Sequence, residues 1–354
     1  MSKARPREEV AKLVAYDAPE PSADIVLVAN ENPENLPEPV LDEMQRLMTE
    51  LSFNRYPDPR AQELCKALAE ANGVAPENVI CGNGGDEILV MCCLAFGGAG
   101  RTALTFPPTF AMFSIISAST GTALRAVPRR DDFTLDIDAA CEAAAGCDIV
   151  FLANPNNPTG TMESREAVAD LARSARGLFV LDEAYCEFAG TTYADLLDEH
   201  DNVLVLRTFS KAFSMAGLRV GYALGSGELI AQLQKVRLPY NSNAFSQAAA
   251  TIALQYRELF DERVGKIVSE RERVMRILGE TDGVTAYPSA ANYILIRVGQ
   301  ADLVWQKLLD SGVLVRNFAG DERLDDFLRV TVGTADQNDH FLAALGRALP
   351  RWAT

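Results

Sequence analysis

The 354-residue chain carries 33 Lys+Arg against 49 Asp+Glu, a formal net charge of −16, and 48% of its residues are hydrophobic. The apolar fraction excludes wholesale disorder; the acidic balance excludes a basic face for nucleic-acid phosphates or a polybasic membrane anchor; the length exceeds one typical core. Two histidines, His200 and His340, cannot build a three-histidine metal centre, and both lie in polar stretches expected to face solvent or end helices.

In chain order, the first 40 residues are rich in proline (Pro19, Pro21, Pro33, Pro37, Pro39) and read as an extended arm. They hold no continuous apolar core of a secretory signal, and no run of 18 apolar residues occurs in the sequence, so no membrane segment is expected. From about residue 41, LDEMQRLMTEL and RAQELCKALAEANG have helical periodicity, the second closing on Gly73. NVICGNGGDEILVMCCLAF reads as strand, glycine turn and buried helix. TALTF, DIVFLAN, GLFVLDE, NVLVLRT and RVGYAL are short apolar runs separated by turns and helices, the pattern of a mostly parallel sheet covered on both faces. A long charged helical stretch over 245–280 follows as a connector. Beyond it, NYILIRV, GVLVRNF and FLRVTVG with the helix ADLVWQKLLDSG have the grammar of a small α+β unit. The expected division is an arm over 1–40 joining the small unit, a large domain over 41–270 and a small domain over 271–354. Seven cysteines (Cys65, Cys81, Cys92, Cys93, Cys141, Cys147, Cys186), odd in number and without a CxxC pair, fit free buried thiols in the cytoplasm.

Four motifs follow predicted strands, where open α/β sheets bind ligands. Gly82-Asn83-Gly84-Gly85-Asp86-Glu87 lies between a strand and a helix, where free N–H groups and the helix dipole can hold phosphate. Alone, it is equally a tight turn. Asn154-Pro155-Asn156-Asn157-Pro158-Thr159-Gly160 is a run of turn formers, with a cis peptide open before its prolines. Asp182, after GLFVL, is expected to be partly buried, and a buried carboxylate needs a cation or strong donors. The protonated ring nitrogen of a cofactor is one such cation; capping a following helix is the plainer role. Lys211, within Thr208-Phe209-Ser210-Lys211-Ala212-Phe213, sits among hydroxyls and apolar residues that can strip its proton and make it a Schiff-base nucleophile. Thr208, Ser210 and Arg219 can hold phosphate. Each has an ordinary structural reading, but a phosphate turn, an amide loop, a semi-buried acid and a lysine on the strand ends of one sheet are together what pyridoxal phosphate requires.

With Asn30-Glu31-Asn32-Pro33, Arg55-Tyr56-Pro57, Pro107-Pro108-Thr109-Phe110, Ala291-Asn292-Tyr293 and Leu328-Arg329-Val330-Thr331-Val332-Gly333 added to these motifs, the sequence resembles the fold type I pyridoxal-phosphate aminotransferases and, within them, the histidinol-phosphate aminotransferase family, over nearly its whole length. The resemblance implies an α/β fold with a seven-stranded, mostly parallel sheet in the large domain. It gives Lys211, Asp182 and Tyr185 the catalytic roles. Gly85, Asp86, Thr208, Ser210 and Arg219 form the phosphate cup, Asn157 and Tyr185 hold the ring hydroxyl, and Phe110 stacks on the ring. Tyr56 reaches a partner's cofactor across a homodimer, and Arg329 clamps a substrate carboxylate, with Tyr16, Asn30 and Arg316 around the second substrate. Phe110 departs from the tyrosine usual at its position, which puts the substrate in question rather than the cofactor. The expected reaction moves an amino group between histidinol phosphate and 2-oxoglutarate. The alternatives are an aromatic amino acid aminotransferase, a pyridoxal-dependent decarboxylase or lyase, and a non-catalytic phosphate-binding α/β module. No metal is expected. A pyridoxal-linked transcription regulator lacks its helix-turn-helix domain here.

Overall fold

The structure, a computed structural model, describes residues 4–13 and 21–349. In chain order its strands are β1 (Ile25–Leu27), β2 (Val79–Asn83), β3 (Thr102–Thr105), β4 (Ala123–Ala126), β5 (Ile149–Ala153), β6 (Leu178–Asp182), β7 (Val203–Thr208), β8 (Val220–Gly225), β9 (Val284–Ala286), β10 (Tyr293–Val298), β11 (Val313–Asn317) and β12 (Phe327–Thr331). They form a seven-stranded sheet, order β2-β8-β7-β6-β5-β3-β4, and a five-stranded sheet, order β1-β11-β12-β10-β9. In the larger sheet only β8 runs against its neighbours. The expected mostly parallel sheet is therefore present.

The apolar runs divide their side chains between two cores. In β5, Val150 and Leu152 face one and Ile149, Phe151 and Ala153 the other; in β6, Phe179 and Leu181 oppose Leu178 and Val180. Successive strand residues point to opposite faces, so a strand covered on both sides must be apolar throughout. This forces the polar residues to the strand ends. Asp182 closes β6, Thr208 closes β7 and Asn154 follows β5, all at one rim of the sheet.

Three expectations change. The arm is not wholly extended, since Glu8–Ala11 forms a helical turn and a longer helix already begins at Glu38. The stretch read as one helix is two, Ala244–Gln255 and Arg257–Gly279, broken at Tyr256. The first packs on the helices Glu38–Glu50 and Gln62–Asn72, the second on Cys186–Ala189, β9 and the C-terminal helix Ala335–Ala348, so each segment turns its apolar face to a different partner. Strand β4, with every residue exposed, and the short β9 lack the apolar signature that marks the other strands. Strand β1 pairs in parallel with β11, at one edge of the smaller sheet. The seven cysteines are free and six are buried. His340 is exposed and His200 half-buried just beyond the turn Ala194–Asp198. Among the described residues no helix is long and apolar enough to cross a membrane and no metal-binding cluster occurs.

Candidate active site

The strand ends open into a cleft of about 1200 Å³ between the two sheets. Thirteen of the fifteen residues expected at the site line it. From the larger sheet come Gly85, Asp86, Phe110, Asn157, Asp182, Tyr185, Thr208, Ser210, Lys211 and Arg219, and from the smaller sheet and arm come Asn30, Arg316 and Arg329. Tyr56 does not; it is 81% exposed and stacks on Tyr240 with ring centroids 4.4 Å apart. Tyr16 lies outside the described residues.

Asp182 is buried and its carboxylate accepts the Ala184 N–H at 3.0 Å. Burial pushes its carboxyl up to about 7; the Ala184 hydrogen bond opposes this, and the charges of Asp86 and Glu183 reinforce it. Behind it, Glu183 is held by Arg207 at 2.9 Å and by the Tyr193 N–H at 2.6 Å, which fixes the turn that follows β6.

The Lys211 ammonium donates to the Ala29 carbonyl at 2.9 Å. Enclosure by the cleft walls and, secondly, the Arg329 charge bring Lys211 down to about 8. A lysine with that proton affinity is a nucleophile near neutral pH. It lies 5.9 Å from the centroid of the Tyr185 ring. The buried Tyr185 hydroxyl accepts from Asn30 Nδ2 at 3.0 Å and Asn157 Nδ2 at 3.4 Å.

The opposite end of this group gathers hydrogen-bond donors of the kind that suit an anion. Helix Gly85–Phe96 begins at the turn, so its dipole and first N–H groups point into the cleft. Thr208 Oγ1 and Ser210 Oγ are 2.9 Å apart, and Arg219 reaches Ser210 Oγ at 3.4 Å and Asp86 at 3.2 Å. Gly84 adopts φ +79°, and a Cβ there would lie 2.5 Å from the Arg219 guanidinium. Only glycine leaves that room.

The smaller sheet supplies the other wall. Arg316 and Arg329 are direct neighbours across β11 and β12. Like charges placed opposite one another repel unless an anion sits between them. Arg329 donates to Asn157 Oδ1 at 2.5 Å and to the Val28 carbonyl at 2.7 Å. Asn30, at φ +55°, is held by Thr331, whose hydroxyl accepts the Asn30 N–H at 2.9 Å, and by Asn292, which donates to the Asn30 carbonyl at 3.0 Å. Phe110 lies half-buried against Phe113, edge to face at 5.6 Å.

Sequence reasoning named no role for the Ala29 carbonyl, because a backbone acceptor has no residue-type signature. Tyr293 carries no functional signature of its own in the sequence. Asn156, one of the run of turn formers, donates to the Pro108 carbonyl at 3.0 Å and accepts from Thr109 at 2.7 Å, tying the Asn157 loop to the segment that carries Phe110. The peptide bonds before Pro108, Pro155 and Pro158 are cis. A second cavity of about 580 Å³ lies at the far rim of the sheet, where Asp148 pairs with Arg101 at 2.8 Å and Arg176 at 2.7 Å.

The residues present fit pyridoxal phosphate: an amine, a buried acid, donors around one oxygen position and an anion cup. Comparisons with known proteins agree. Residues 23–345 match the family described as Aminotransferase class I and II. The chain is 40% identical over 345 residues to a histidinol-phosphate aminotransferase of Caldanaerobacter subterraneus, covering 97% of this chain and 98% of that one. It is 42% identical over 346 residues to histidinol-phosphate aminotransferase 1 of Carboxydothermus hydrogenoformans, with the same coverage. Among solved structures, the histidinol-phosphate aminotransferase of Sinorhizobium meliloti in complex with pyridoxal-5'-phosphate superposes with a TM-score of 0.90 at 28% identity, covering 98% of each chain. The chain belongs to the class I and II aminotransferase family.

Proposed function

We propose that this chain is a pyridoxal-phosphate aminotransferase that exchanges an amino group between histidinol phosphate and 2-oxoglutarate, giving imidazole acetol phosphate and glutamate. The observation that carries the chemistry is the presence, in one cleft, of the enclosed Lys211 and the buried Asp182 beside a helix N-terminus, hydroxyls and Arg219. The substrate follows the relatives' names and the opposed arginines, which suit an anionic ligand end.

When bound, the cofactor supplies an electron sink and an aldehyde carbon that carries the amino group. Lys211 would hold that carbon and is the group placed to move the proton to and from the substrate's α-carbon. Asp182, buried at the end of β6, would keep the ring nitrogen protonated. Tyr185 and Asn157 would bind the ring oxygen, Phe110 would lie against the ring, and Gly85, Asp86, Thr208, Ser210 and Arg219 would hold the phosphate. Arg329 clamps the carboxylate of the amino donor or 2-oxo acid through its fork. Arg316 and Asn30, with Tyr16, bind the remainder of the substrate.

The working form is a homodimer. Tyr56 supports this, being a large ring left exposed beside exposed Phe53, Leu238 and Tyr240, the composition of a protein interface. In this reading Tyr56 reaches the partner's cofactor phosphate, and sedimentation of the wild type is expected to give twice the chain mass. The free thiols fit a reducing, cytoplasmic setting. The arm over 1–40 with 271–354 forms a small domain, and 41–270 a large one.

Phe110 favours a second reading, an aromatic amino acid aminotransferase, because it faces the cleft with no hydroxyl to meet a substrate phosphate. Single-turnover half-reactions of the purified pyridoxal form decide between them. Bleaching of the visible band by histidinol phosphate and glutamate supports the first reading, and bleaching by phenylalanine or tyrosine but not histidinol phosphate replaces it with the second. Carbon dioxide release without a 2-oxo acid identifies a lyase. A colourless protein that cannot be reconstituted overturns all three.

A further inference from the structure

Given the pyridoxal-phosphate aminotransferase reading above, we propose that Tyr293 is a positioning residue that sets both ends of the cleft at once, its hydroxyl holding the Asn157 loop and its ring holding Arg329.

Tyr293 begins β10 and is fully buried. Its hydroxyl donates to the Asn156 carbonyl at 2.6 Å, crossing from the smaller sheet to the loop after β5. The neighbouring Ala290 N–H donates to the Gly160 carbonyl at 2.9 Å, so the segment before β10 grips this loop at both ends. Gly160 shows how close the grip is: a Cβ there would lie 2.4 Å from Ser289 Oγ.

The ring has two further contacts. Its centroid is 5.1 Å from that of Tyr185, with the planes at 83°, an edge-to-face pair. The Arg329 guanidinium lies 5.3 Å from the Tyr293 centroid, within cation–π reach. The sheet register explains this: Tyr293 is opposite Thr331, so Arg329 is its diagonal neighbour on the same face. One side chain therefore touches a ring-oxygen donor, tethers the loop of the other donor and supports the carboxylate clamp.

The two halves of the side chain separate by mutation. Tyr293→Phe keeps the ring and removes only the tether. The Asn156 carbonyl still accepts the Gly160 N–H at 2.7 Å, so no buried carbonyl is stranded and the variant folds. Tyr293→Leu removes the ring as well.

The test uses both variants reconstituted with pyridoxal phosphate. Hydrogen bonds to the ring oxygen drain the negative charge that holds a proton on the Lys211 nitrogen. Tyr293→Phe, with a looser Asn157, is expected to raise the pH midpoint of the visible band by about half a unit, with KM for 2-oxoglutarate within about twofold of wild type. Tyr293→Leu is expected to add a rise in that KM of roughly tenfold, the size of a lost cation–π support. If Leu does not fold, Met, which fills more of the space, takes its place. An unchanged midpoint in the Phe variant, or an unchanged KM in the ring-deleted variant, reduces Tyr293 to core packing and overturns the proposal, even where melting temperature falls. A wild type with no visible band removes the cofactor reading instead, whatever Tyr293 does.

Discussion

The two walls of the cleft are built in different ways. The wall on the seven-stranded sheet takes Asp86, Asn157, Asp182 and Lys211 from the ends of β2, β5, β6 and β7, each beside its own strand in sequence. The wall on the smaller sheet is assembled from far apart: Asn30 and Thr331, hydrogen-bonded at 2.9 Å, are 301 residues apart in the chain. The first wall holds groups whose proton affinities burial has shifted; the second holds charges placed against each other. Strand ends gather the titratable groups, and the long-range sheet sets two arginines side by side.

The largest test of this contrast is at Lys211. Lys211→Ala is expected to abolish the visible band on reconstitution and to lower turnover by roughly 10⁴-fold or more, the loss of nucleophile and proton carrier together. Retained turnover would show that the first wall does not carry the chemistry. A pH test goes with it: the rate at which wild type develops colour with pyridoxal phosphate is expected to climb with pH and level off above about 8, where Lys211 is neutral.

Next is Asp182. Asp182→Asn cannot balance a ring cation, and turnover is expected to fall roughly 10²- to 10³-fold. Stability moves the other way. The folded carboxyl titrates near 7, above its unfolded value of about 4, so its contribution is complete below about pH 4 and is lost as pH rises through 7. The Asn variant without cofactor should therefore melt higher than wild type above pH 7, the gap closing toward pH 4. Thermal melts across that range check the sign; equal melting temperatures at pH 8 would remove the buried-charge account.

On the second wall the effects fall on binding. Arg329→Ala is expected to raise KM for 2-oxoglutarate about tenfold to a hundredfold, as for a lost charge-assisted pair, with the visible band intact. Loss of the band would mean that the two walls are not separable. The smallest effect is at Arg316. Arg316→Ala relieves the like-charge pairing, so the ligand-free chain is expected to gain about 0.5 kcal/mol in denaturant unfolding while substrate affinity falls. A destabilised variant would show that the opposed arginines are not in conflict.

The larger wall was legible because apolar strands buried on both faces must push polar residues to their ends, and turn residues mark those ends. Thus Asp182 after GLFVL and Lys211 after NVLVLRT could be read before any coordinates. The smaller wall was named only through family resemblance. Nothing in LRVTVG says that Arg329 lies opposite Arg316, since register depends on how the two strands slide. The break at Tyr256 was invisible for a similar reason: periodicity runs through it, and the partners that differ on either side are tertiary.

By itself, then, the sequence determined the two-sided sheet, the rim at which the candidate site residues gather and their residue types, because these follow from local pattern and burial. Tertiary structure alone decided that Asn30 reaches Tyr185, that Lys211 rests on the Ala29 carbonyl, and that Tyr293 spans both walls. Those contacts join segments that are remote in the chain. Their geometry follows from strand register and the packing of the two sheets, and neither leaves a mark on local composition.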